Sequence, residues 1–137
     1  MKQLQRVQNS AARSLVGAKR RDHITPILKS LHWLPITRRV DYKLLVLVYN
    51  ALYGTGPEYI RELLTIYESG REGLRSSLNV TTLVEPRTHL VTGGYRSFEK
   101  ASACLWNAVP VPLRNVNSLE GFKSGLKTYL YNETYKS

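Results

Sequence analysis

Apolar residues recur along the first stretch of the chain at Leu4, Val7, Ala11 and Leu15, with Ala12 and Val16 beside them. This is the 3.6-residue period of a helix with one apolar face. Gly17 stops it, because glycine readily takes the left-handed conformation that closes helix C-termini. Lys2, Arg6 and Arg13 fall on another face of the same helix, so a basic amphipathic helix is expected. Thr25-Pro26 then reads as an N-cap followed by proline in the first turn, which predicts a short helix over 27–32. Leu34-Pro35 restarts the chain in the same way. From Ile36 the positions Val40, Leu44, Leu47, Val48, Ala51 and Leu52 describe a long helix that Gly54 ends. Its second half, LLVLVYNAL, is apolar nearly all round, which predicts a central helix buried by the first and last helices, with Leu44 and Leu47 as anchors. Pro57 opens a further short helix carrying Tyr59, Ile60, Leu63 and Leu64.

The pattern changes at Tyr67. Residues 67–96 are rich in Ser, Gly, Thr and Arg, with β-branched pieces at 79–84 and 88–92 broken by Pro86 and Gly93-Gly94. This reads as a loop-rich linker containing one hairpin-like pair of short strands. Helical spacing returns with Phe98, Ala101, Leu105 and Ala108, and Pro110 and Pro112 end it. Ser118 caps a last helix whose Leu119, Phe122, Leu126, Tyr129 and Leu130 form its stripe. The expectation is a mainly α fold: a single small domain of about five or six helices, with a basic segment over 1–66, a linker over 67–96 and a C-terminal segment over 97–137 packing on the first.

Charge sharpens this picture. The 137 residues carry 20 Lys and Arg against 10 Asp and Glu. Residues 1–43 hold ten of the basic residues and two acids, Asp22 and Asp41, a net of +8; the other 94 residues hold ten and eight. Such asymmetry points to a polyanion on the N-terminal side, most often nucleic acid. The plainer alternative is a solvated face that keeps the protein soluble. One cysteine, Cys104, excludes an intramolecular disulfide and fits an intracellular setting, nucleus or cytoplasm; within ASACLW it reads as a small buried thiol. The N-terminus lacks the apolar core of a signal peptide, and no stretch nears the ~18 apolar residues of a membrane span.

Catalytic chemistry is missing from the pattern. A two-metal polymerase or nuclease needs clustered carboxylates, yet no two acidic residues are adjacent anywhere in the chain. His23, His32 and His89 have no metal-ligand spacing, and neither a nucleophile elbow nor a phosphate loop is present. No catalytic residue, metal, cofactor or small-molecule substrate is expected. Binding remains. Arg6 and Arg13 on the first helix, Lys19, Arg20 and Arg21 just past Gly17, and Arg38 and Arg39 at the start of the third helix are the candidate phosphate contacts. Trp33 is the candidate stacking platform, since a base lies on an indole while its phosphate meets a guanidinium; the competing reading has Trp33 closing the core between Leu31 and Leu34. His32 reads as a packed or capping residue, Trp106 as core, and Tyr42, Tyr49 and Tyr53 as packing residues of the third helix.

The stations LQRVQNSAAR, DHITPILKSLHWLPITRRVDYKLLVLVYNAL, GPEYIRELL, LRSS, VEPRTHL, RSFEKASACLWNAVP and SLEGFKSGLKTYLY, in this order, resemble the region following the polymerase core in reverse transcriptases of non-LTR retrotransposons, the chicken-repeat and jockey-like LINE elements. The resemblance runs in diminishing density over nearly the whole chain, and its first helix is similar to the end of the thumb. It implies a helical, non-catalytic piece of an RNA-directed DNA polymerase that holds RNA or DNA, template or target, near an active site lying elsewhere. The aromatic-x-Asp-Asp motif of that family is absent, so no catalytic residue carries over. Two functions stand as expectations: a nucleic-acid-binding module using a basic N-terminal face, or a structural fragment that packs on the polymerase core of an intact element. The second would leave the stripe Leu4, Val7, Ala11, Leu15 exposed. A membrane partner is not expected.

Overall fold

A computed structural model describes residues 1–67, 81–87 and 97–136. Among them are seven α-helices and no strand: α1 (Lys2–Val16), α2 (Ile24–Ser30), α3 (Ile36–Leu52), α4 (Glu58–Glu62), α5 (Phe98–Ala108), α6 (Val111–Arg114) and α7 (Leu119–Tyr135). The protein is therefore mainly α. The helix not marked in the sequence is α6, a single turn. Its prolines, Pro110 at the N-cap and Pro112 in the first turn, sit where a missing N–H has no helical partner to lose.

Local signals set most helix ends. Gly17 takes φ 66°, which lets the Ala18 N–H reach the Arg13 carbonyl at 3.0 Å; Gly54, at φ 75°, closes α3 in the same way. Ser118 Oγ accepts the Gly121 N–H at 3.1 Å at the head of α7. The second helix departs from expectation: it starts at Ile24 with His23 as N-cap, so Thr25 and Pro26 lie within its first turn. Of the expected hairpin, residues 79–80 and 88–92 lie outside the described residues. Within them, Leu83 pairs with Ile66 through one isolated antiparallel bridge.

The chain divides into two compact units, Met1–Lys43 with the residues from Leu126 onward, and Leu44–Gly125. In the first, α1 lies on α2, and Ala12, Leu28 and Tyr135 form a small core edged by Ile24, Ile27, Leu31, Trp33 and Tyr131. Amides reinforce it: Gln8 Nε2 donates to the Leu34 carbonyl at 2.8 Å, and the Ile36 N–H donates to Gln5 Oε1 at 2.9 Å. In the second unit, Leu45, Val48, Ile60, Leu83, Trp106, Val109 and Phe122 are buried. Tyr49 stacks on Phe122 with ring centroids 4.3 Å apart. The Asn107 amide accepts from the Leu83 N–H at 3.0 Å and donates to its carbonyl at 2.8 Å, as a neighbouring strand would. Trp106 Nε1 and Arg114 Nη1 both donate to the Thr81 carbonyl.

One packing expectation needs correcting. Leu47 is 42% exposed, and the residues of its run that anchor the core are Leu45 and Val48, at 1% and 0%. An all-apolar run carries no phase, so periodicity left the inward face open. On α1 the stripe Leu4, Val7, Ala11, Leu15 points outward, and Gln8 and Ala12 are the buried residues. The amide bonds of Gln5 and Gln8 to residues about 30 positions away decide which side faces in. Among the described residues, no helix is long and apolar enough to cross a membrane.

Candidate nucleic-acid interface

Every candidate contact named from the sequence falls in the first unit. Arg6 and Arg13 stand one heptad apart on α1, and Arg20 follows at the same interval past the Gly17 turn. The three line one open groove together with Asn9, Ser10 and Ser14, and among the described residues no acidic side chain lines it. The turn that carries Arg20 is tied down from both sides. Asp22 spends its carboxylate on the Lys19 N–H at 2.7 Å, and its carbonyl accepts from Arg13 Nη2 at 3.2 Å. Arg13 is thereby half-buried and partly structural, whereas Arg6 and Arg20 are exposed. Lys19 and Arg21 are also exposed but line neither this groove nor the cleft described next.

Trp33 and Arg39 come together in a second concavity of 530 Å³. Trp33 is placed by the end of α2, where His32 takes a left-handed φ of 54°. The Trp33 N–H reaches back to the Leu28 carbonyl at 2.9 Å and the His32 N–H to Lys29 at 3.1 Å. This is the paired-bond helix end usually built on glycine. His32 bears the strain while its ring stacks on Tyr131, centroids 5.5 Å apart and planes 13° from parallel. The Tyr135 hydroxyl donates to the Trp33 carbonyl, and burial, followed by the neighbouring Tyr131, pushes its pKa up, so it stays a donor well into alkaline solution. Trp33 edges the Ala12–Leu28–Tyr135 core and also lines the cleft.

Arg38 is not in the cleft. It pairs with Asp41 at 3.4 Å. Its neighbour Arg39 is exposed and shares the cleft with Lys43, one helical turn further on, and with Lys127 of α7. Tyr42 and His32 complete the aromatic side. Sequence reasoning left these partners out. Lys43 carried a readable signal, since i and i+4 share a helix face; Lys127, 84 positions away, carried none. Tyr42 belongs to the cleft, whereas Tyr49 and Tyr53 pack as expected, stacked at 4.3 Å and bonded to the Val116 and Arg114 carbonyls.

Elsewhere, Cys104 is half-buried, and burial and then a hydrogen bond with Glu85 raise its pKa, which suppresses the thiolate. Among the described residues, no three His, Cys, Asp or Glu side chains gather as a metal site. Comparison with protein-family models, with curated proteins and with solved structures finds no match to this chain.

Proposed function

We propose that this chain is a non-catalytic nucleic-acid-binding module of the kind its sequence resembles, the region behind the polymerase core of a non-LTR reverse transcriptase, and that it holds RNA or DNA by the phosphate backbone. The observation that carries this reading is the groove lined by Arg6, Arg13 and Arg20 with no acid among the described residues that line it. Cations at regular spacing along a groove are what a phosphate chain needs, and they give affinity that is independent of sequence and sensitive to salt. Filter binding of RNA and of single- and double-stranded DNA over a salt series tests it. The logarithm of the binding constant should fall linearly with the logarithm of salt concentration. Absence of binding at low salt, or a flat dependence, refutes the reading.

A second reading is favoured by the outward stripe of α1. Leu4, Val7 and Leu15 are 59%, 67% and 65% exposed, so the chain would be a structural piece that docks on another polypeptide, the polymerase core in the resembled family. Light scattering separates the two. A docking piece self-associates at low concentration and is cured by Leu4→Gln with Leu15→Gln, whereas a free-standing module stays monomeric with the stripe intact.

A further inference from the structure

We propose that the cleft beside Trp33 is a subsite for one unpaired nucleotide of a single strand, its base against the aromatic wall of Trp33 and Tyr42 and its phosphate against Arg39, Lys43 and Lys127. The inference rests on the nucleic-acid reading above and deepens it, by assigning the strand form that the protein selects.

The charge is the first argument. Among the described residues, Arg39, Lys43 and Lys127 line one cleft with no acidic side chain in its walls, and none of them joins an ion pair. Arg39 and Lys43 are four apart on one helix, an arrangement in which like charges repel. An anion between them relieves that repulsion. The second argument is the company the cations keep. A bare phosphate site needs no aromatic wall, whereas this one is built on Trp33, whose backbone N–H and carbonyl are bonded to Leu28 and Tyr135 and whose side chain packs on the Ala12–Leu28–Tyr135 core. An indole already held in place needs little reordering to receive a flat ring, and base-on-aromatic stacking is tolerant of base identity. Size is the third. At 530 Å³ the cleft lies in the range that encloses one small ligand. A paired base inside a duplex is stacked on both faces and cannot offer one to Trp33; an unpaired base can.

Tryptophan emission reads this out, because the other tryptophan, Trp106, is 0% exposed and lies in the second unit. The full chain is titrated with a short oligouridylate, with a duplex of matched length, and with uridine monophosphate at the same nucleotide concentration. The single strand should quench emission saturably; the duplex should bind the Arg6–Arg20 groove without quenching, and the mononucleotide should leave emission unchanged. Lys43→Ala and Lys127→Ala should each weaken the single strand several-fold while leaving duplex affinity unaltered. Trp33→Phe, which keeps the packing, should remove the quench. Binding of both strand forms without quenching, or indifference to both lysine variants, overturns the subsite and leaves the nucleic-acid reading standing. Saturable quenching by the mononucleotide alone overturns the assignment to a strand. Failure of every nucleic acid to bind overturns both readings.

Discussion

Replacing Leu45 and Leu47 one at a time by alanine tests the orientation of α3 with two residues of one chemistry. Leu45 is 1% exposed and Leu47 42%. Leu→Ala removes three carbons, worth about 2.4 kcal/mol at ~0.8 kcal/mol per buried carbon group. At Leu45 the lost volume is enclosed, and the cavity left behind raises the total toward 2–5 kcal/mol. At Leu47 roughly three-fifths of that transfer applies and water fills the gap, so the cost is about 1–1.5 kcal/mol. With a urea dependence of about 2 kcal/mol per molar, Leu45→Ala should lower the midpoint by about 1–2.5 M and Leu47→Ala by about 0.5–0.8 M, at unchanged slope. Far-UV circular dichroism in a urea series measures both. Equal shifts, or the larger one at Leu47, would mean that α3 presents its other face to the core, and the arrangement of the second unit would be wrong.

Gly17→Ala forces a side chain into a left-handed position at φ 66° with open space around it, so the cost is backbone strain alone, about 1–2 kcal/mol by thermal melt. Arg6→Ala and Arg20→Ala, both exposed and free of ion pairs among the described residues, should change stability by less than about 0.5 kcal/mol while each lowers the salt slope of nucleic-acid binding by about 1. Tyr49 and Tyr135 have pKa values raised above the ordinary 10.0 by burial. Their folded forms hold the proton more tightly than the unfolded chain, so this stability is complete below pH 10 and drains away as pH rises through the folded values. Urea midpoints should therefore fall between neutral and strongly alkaline pH, and Tyr135→Phe should flatten that decline; a steeper decline in the variant refutes the assignment.

What could be read in the sequence was what is decided locally. Gly17, Gly54 and Ser118 mark helix ends because the conformation or bond they supply involves residues a few positions away. The phase of α1 could not be read so. Its apolar stripe shows where carbon lies on the cylinder, but the inward side is set by Gln5 and Gln8 bonding to the backbone at Ile36 and Leu34, and a glutamine pattern carries no sign of a distant carbonyl. The candidate site divides in the same manner. Helical spacing put Arg6 and Arg13 on one face, Arg20 stood out only as part of the basic run past Gly17, and the pairing of Trp33 with a basic neighbour was visible from their closeness in sequence. Arg38, equally close, is diverted by Asp41. Lys127 enters only because the fold returns α7 to the end of α2, where Tyr131 donates to the Lys29 carbonyl at 2.8 Å.

The amide anchoring of α1 bears on how this helix comes loose. Only Gln8 and Ala12 of its fifteen residues are buried, so lifting it off exposes little carbon and breaks a few directional bonds instead. Such an opening has a small heat-capacity change and a weak dependence on denaturant. The backbone amides of α1 should therefore exchange with deuterium through a local event that urea scarcely accelerates, while those around Phe122 and Leu126 wait for global unfolding. A one-residue slip of α1 would lose the bonds of Gln5 and Gln8 together, so the attachment is strict in register and light in free energy.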